Sequence, residues 1–125
     1  MNVFRHKEPE YVDARGAIAK ILDDVDIKSV LLISSVAGSI RANHYHKKDS
    51  HYTYVLSGRI EWTEKPVEGE EPRTVVLERG DMVFTSPMTI HAARFLEDTK
   101  FLAFATEARS QDDYEADTVR VALIK

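Results

Sequence analysis

Four of the five histidines in this chain sit where their imidazoles can meet. His44 and His46 are two residues apart, and side chains at i and i+2 of a strand share one face. His51 follows after a four-residue gap, long enough for a bend, and opens the next strand-like run. His91 comes forty residues later, after Gly80-Asp81 and Pro87. Three imidazoles from one hairpin and a fourth from a distant strand can surround one cation. Neutral imidazole is the commonest metal ligand among side chains. It suits Zn, Cu, Fe and Ni, with selectivity set by geometry and supply. The expectation is therefore one divalent transition metal ion (Mn, Fe, Ni, Cu or Zn) held by His44, His46, His51 and His91. Four neutral ligands leave the ion's charge uncompensated, which makes it a stronger Lewis acid and favours anionic oxygens at its open positions.

Other residues could serve this centre. Arg41, Arg59 and Arg94 carry forked donors that suit a carboxylate or phosphate, and Arg41 stands three residues before His44. Tyr52 and Tyr54 lie on the run that His51 opens. One of them is expected to line the cavity and the other to pack on the opposite sheet face, with Tyr54 the proton carrier and Tyr52 the substrate contact. Asn43 flanks the first histidine as an orienting or turn residue. Trp62, Phe84, Phe95, Phe101 and Phe104 fall at strand spacing and read as core. Arg79-Gly80-Asp81 spells a cell-adhesion tripeptide but reads better as a turn before a strand, and His6 stands apart in a polar segment.

The elements that must position these groups are strands. No segment sustains an i, i+3, i+4, i+7 apolar rhythm over three turns. Short apolar or alternating runs predict strands at Ala17–Leu22, Ser29–Val36, Tyr52–Leu56, Arg59–Thr63, Thr74–Leu77, Met82–Thr85, Ala92–Leu96, Lys100–Thr106 and Thr118–Ile124. Ser57-Gly58 reads as a tight hairpin. The run from Lys65 to Arg73, with two prolines and a glycine, reads as a solvated loop. The acidic stretch Glu107–Asp117 reads as a short helix or an extended arm. Nine short strands predict an all-β antiparallel sandwich or barrel.

Composition narrows the rest. The chain has 125 residues, enough for one domain with a real core, and residues 1–125 are read as one. With no cysteine there is no disulfide, no thiolate zinc site and no thiol nucleophile; a reducing compartment is compatible. A net charge of -4 argues against nucleic acid as a partner. No apolar run approaches the roughly 20 residues that span a bilayer, and Met1–Glu10 lacks an apolar signal core, so neither membrane nor secretion is expected and the location is read as cytoplasmic.

The histidine spacing resembles the cupin superfamily. Its first motif runs Gly, five residues, His-x-His, three or four residues, Glu, six residues, Gly. Gly38, His44, His46 and Gly58 match, and His51 stands where Glu is usual. In the second motif Gly80, Pro87 and His91 match, while Met88 replaces a glycine and the late Asn is lost near Phe95. The motifs occupy residues 38–58 and 80–95, and the resemblance implies a cupin jelly roll of the RmlC-like kind. The flanks are similar to the nucleotide-sugar 3,4-ketoisomerases. Asp13-Ala-Arg15-Gly16, Ile27–Ile33, Arg41–Lys47, Val55–Gly58 and the tail Glu107–Tyr114 carry this likeness. It implies a small dimer that moves a carbonyl along a dTDP-linked 4-keto sugar. The two histidines matching His44 and His46 act there as acid and base. That branch usually has an uncharged polar residue at the position of His51, so a complete histidine set departs from it and points to metal.

The expected function is thus a metal-binding cupin enzyme isomerising or epimerising a small polar substrate, a sugar or nucleotide sugar, through an enediolate. Its catalytic residues are expected to be His44, His46, Tyr54 and Arg41, with Arg41, Arg59, Arg94 and Tyr52 binding substrate. An oxygenase of an enolisable substrate and a non-catalytic binding module are the alternatives. A homodimer is expected, because exposed sheet edges otherwise invite aggregation.

Overall fold

The structure is a computed structural model, and it describes residues 1–6, 8–108 and 110–125. Its strands are β1 (Asn2–Phe4), β2 (Tyr11–Asp13), β3 (Gly16–Ile18), β4 (Ser29–Ser35), β5 (Ile40–His46), β6 (His51–Ser57), β7 (Arg59–Pro66), β8 (Arg73–Glu78), β9 (Met82–Thr85), β10 (Thr89–Phe95), β11 (Thr99–Ala105) and β12 (Thr118–Arg120), with a helix α1 (Gln111–Asp117) before the last. Two five-stranded sheets result, ordered β1-β9-β6-β11-β4 and β12-β5-β10-β7-β8, beside a small β2-β3 hairpin. The expected all-β jelly roll is what the chain forms.

Alternation explains the sandwich. In β6 His51, Thr53 and Val55 are buried, and Tyr52 and Tyr54 between them are half-exposed. Val55, Ile60, Trp62, Leu77, Val83, Ala93, Phe95 and Phe101 form the core between the sheets. Phe95 and Phe101 stack at 5.7 Å between ring centroids and close its far end. Gly58 turns β6 into β7 at a φ of 96°, and a Cβ there would run into the Thr99 hydroxyl and the Asp98 carbonyl. Only glycine satisfies both demands.

The chain ends depart from the sequence reading. The expected strand Ala17–Leu22 shrinks to β3, and Thr118–Ile124 pairs only to Arg120. Beyond it Val121 N donates to the Asn43 carbonyl at 2.9 Å, and side chains hold the rest. Asn43 Oδ1 accepts the N–H groups of Leu123 and Ile124, both at 3.0 Å, and its Nδ2 donates to the Ile124 carbonyl at 3.1 Å. An amide imitates the backbone here, so the tail lies along β5 without a ladder. The acidic stretch becomes α1, where Ser110 caps by accepting from Asp113 N and acids fill the first turn. At the other terminus the Asp81 carboxylate accepts from Arg5 Nη1, His6 N and Glu78 N at 2.8–3.0 Å. That latch ties β1 to the turn before β9, the structural use of the Arg79-Gly80-Asp81 turn.

Candidate functional site

The histidines gather at one end of the sandwich because three strands begin or finish there. β5 ends at His46, β6 starts at His51, and His91 stands third in β10. His91 pairs with His44 on β5, and Ala92 next pairs with Ala42, so Asn43 is the extra residue of a bulge. Ala42 and Asn43 take positive φ, 68° and 56°. A bulge re-aims the side chains that follow it, and here it delivers His44 and His46 to the chamber.

One ring nitrogen from each of His44, His46 and His91 lies within 4.8 Å of the others. His51 stands across the sandwich, with its Nε2 3.3 Å from Nε2 of His91. His46, His51 and His91 are 2–5% exposed, and His44 is half-buried. Neighbours fix two tautomers. The Thr118 hydroxyl donates to the Tyr114 carbonyl at 2.6 Å, so its oxygen is left to accept from His46 Nδ1–H at 3.2 Å. The Thr89 carbonyl, which can only accept, takes the proton of His91 Nδ1 at 3.0 Å. In both rings Nε2 then carries the lone pair. Carbonyl and hydroxyl partners of this kind orient metal-bound histidines. The donor set therefore fits a divalent ion held by His44, His46 and His91, with His51 beside it.

Residues that the sequence reading did not assign also reach this chamber. The Tyr114 ring lies 5.4 Å from that of His46 and 6.2 Å from that of His44, carried there by α1. A cavity of about 460 Å³ opens beside it, lined also by Lys47, Lys48, Asp49 and Asp117. The Trp62 indole stacks on His91 at 5.6 Å and 15°. Glu64 is 6% exposed, directly opposite His91 in the β7–β10 register. Its Oε1 accepts from Trp62 Nε1 at 3.2 Å and Thr85 Oγ1 at 2.9 Å. Desolvation raises its pKa above the usual carboxylate value, and those two hydrogen bonds and the N-terminal ammonium offset part of that.

The other expected site residues lie elsewhere. Tyr52 and Tyr54 both face the outside of the β6 sheet and line a separate cavity under the N-terminal segment. The reason is parity. With His51 inward, residues 52 and 54 must point outward, so Tyr114 and not Tyr54 is the tyrosine at the histidines. Arg59 begins β7, at the opposite end of the sandwich, and pairs with Glu78 at 3.4 Å and Glu97 at 3.8 Å. Arg94, three residues from His91 and so on the outer face, pairs with Glu61 at 3.6 Å and reaches the Lys125 carbonyl. Arg41 donates to Ser35 Oγ at 2.7 Å and the Ser34 carbonyl at 3.1 Å. The structure gives these three arginines protein partners and does not bring them to the histidines.

Two β-sheets enclosing a histidine cluster at one end define a cupin-type jelly roll. The chain belongs to the cupin family: the family model for the cupin domain matches residues 33–106. A search of curated proteins finds no match. Among solved structures the chain is similar to QdtA, a 3,4-ketoisomerase from Thermoanaerobacterium thermosaccharolyticum solved with TDP. The TM-score is 0.75 at 26% identity, over 95% of this chain and 87% of that one. A 3,4-ketoisomerase from Helicobacter canadensis has the same fold, with a TM-score of 0.77 at 18% identity over 95% and 89% of the two chains. So does the RmlC epimerase of Mycobacterium tuberculosis, at 0.76 and 16% over 98% and 68%.

Proposed function

We propose that this cupin is an isomerase acting on a nucleotide-linked keto sugar, with a divalent transition metal held by His44, His46 and His91. The observation that carries the reading is the convergence of those three imidazoles within 4.8 Å. The likeness to a ketoisomerase solved with TDP supports the substrate class. The ion would supply Lewis-acid polarisation of the substrate carbonyl. Protein groups do the rest. A base takes the proton from the hydroxyl-bearing carbon beside the carbonyl and an enediolate forms; the proton returns to the former carbonyl carbon, and the hydroxyl proton passes to the former carbonyl oxygen. The carbonyl moves by one position and mass is conserved. Tyr114, beside His44 and His46, is placed to carry that proton.

The metal-free form of this reading rests on the tautomers. Nε2 of His46, with its lone pair, is as fit to accept a proton as to bind an ion. One experiment separates the forms: metal analysis of untagged protein, with product NMR on a TDP-linked 4-keto sugar with and without chelator. About one equivalent of metal and chelator-sensitive turnover support the metal form. Chelator-resistant turnover transfers the acid–base work to His44 and His46. No product in any sample overturns the isomerase reading, and dioxygen uptake on an enolisable substrate would replace it with the oxygenase.

Thr118→Val removes the acceptor of His46 Nδ1–H with little change in volume. Loss of such an orienting partner is expected to weaken metal binding by about 10–100-fold, read by calorimetric titration. Unchanged affinity would show that the Thr118 contact does not set the ring.

A homodimer and a cytoplasmic location belong to the same proposal. Leu32 pairs with Leu102 and Val30 with Phe104 on the outer face of one sheet, next to Tyr54 and Tyr52. Val30 and Leu32 are 58% and 65% exposed. An apolar stripe of this kind marks an interaction surface, and a second copy of this chain is the proposed occupant, testable by sedimentation. Among the described residues no helix is long and apolar enough to cross a membrane.

A further inference from the structure

We propose that Glu64 is the counter-charge of the histidine site: it returns, from a neighbouring strand, the carboxylate that the cupin pattern places at position 51 and this chain replaces by histidine. The inference rests on the metal form of the proposed function.

Its geometry is a pair of rungs across the sandwich. On one sheet His51 and Thr85 are partners in the β6–β9 register; on the other His91 and Glu64 are partners in the β7–β10 register. Each pair reaches over to the other. His51 Nε2 meets His91 Nε2 at 3.3 Å, and Thr85 Oγ1 meets Glu64 Oε1 at 2.9 Å. Side chains directly opposite on neighbouring strands start roughly 5 Å apart at Cβ, so the carboxylate stands one strand from the imidazole that completes the triad. Trp62 lies against both groups, donating to Glu64 while its ring covers His91. The buried indole thus bridges the two groups, and charges inside a protein are screened less than in water.

His44, His46 and His91 would be neutral ligands and leave a divalent ion's charge whole. Burying a carboxylate is costly, and the N-terminal ammonium offsets only part of that cost at Glu64. An ion at the histidines and an anion at Glu64 relieve each other's cost. The carboxylate need not touch the ion, because the attraction acts over the short distance between neighbouring strands. That leaves the ion's open positions to substrate oxygens, whereas a carboxylate at position 51 would lie among the ligands themselves.

The test uses Glu64→Gln, which keeps a carbonyl acceptor for Trp62 and Thr85 and removes only the charge. Cobalt(II) and zinc(II) are titrated into the protein and the variant by calorimetry. Trp62 is the single tryptophan of the chain, so its emission reports independently whether the indole has kept its place. The expected result is a loss of about 10-fold or more in affinity for both ions, with emission unchanged. Equal affinity in the variant and the wild type overturns the assignment and leaves the metal form of the proposed function standing. No binding by the wild type overturns the metal form and the assignment together. A weaker variant whose emission has also shifted is compared with Glu64→Asp. Affinity recovered by the shorter carboxylate supports the counter-charge; affinity still lost makes Glu64 a packing residue and overturns it.

Discussion

Turnover of a nucleotide-linked keto sugar should fall by about 10²–10⁴-fold when His46 is replaced by alanine. His46 is 2% exposed and lies in the middle of the cluster, 4.7 Å from the ring of His44, 5.7 Å from His91 and 5.4 Å from Tyr114. Its Nδ1 meets the Thr118 hydroxyl and lies 4.0 Å from the Asp117 carboxylate, so the nitrogen that would act is Nε2. Whether that nitrogen binds an ion or accepts the substrate's proton, alanine offers no substitute, and the rings around it are already placed for other tasks. The loss should appear in kcat, because the group acts on the reacting atoms. Product NMR under saturating substrate measures it. The fold should survive, since His46 lies outside the apolar core formed around Val55, Ile60 and Phe95. Retention of turnover to within threefold would remove His46 from the chemistry altogether.

Phe95→Ala is expected to destabilise the fold by about 3–5 kcal/mol. Phe95 is fully buried and stacks on Phe101, which joins the β10 sheet to the β11 sheet. Removing the ring opens a cavity at the end of the sandwich remote from the histidines. The walls of that cavity are two hydrogen-bonded sheets, which collapse poorly. A shift in the urea midpoint with unchanged slope measures the effect. A change below about 1 kcal/mol would mean that the two sheets close over the gap. Phe95→Leu should recover much of the loss, because a branched aliphatic side chain refills part of the volume.

Much of the scaffold was legible because a half-buried strand writes its two faces into the sequence. Ser29–Val36, Met82–Thr85 and Lys100–Thr106 were expected as strands and appear within a residue of β4, β9 and β11. The same alternation held information that the sequence reading left unused. If His51 points inward, Tyr52 and Tyr54 point outward; if Ile60 and Trp62 point inward, so does Glu64. Glu64 was thus a carboxylate in a core register. Tyr114 offered no such signal, since its helix is seven residues long and nothing local says that it folds back.

The sequence by itself determined the class of fold and the candidate chemistry: short alternating runs make an antiparallel sandwich, and His44, His46, His51 and His91 mark one centre. Both follow from chain-local rules, the period-2 alternation of a strand and the preference of imidazole for metal. Only the tertiary structure decided what surrounds that centre. The Asn43 bulge, the tail pinned along β5, Tyr114 over His44 and His46, and Glu64 across from His91 all depend on contacts between residues far apart in the chain. Arg94, Arg59 and Arg41, expected as substrate ligands, meet Glu61, Glu78 and the Ser34 carbonyl in the structure. A side chain's type says what it can bind, and only the packed neighbours say what it does bind.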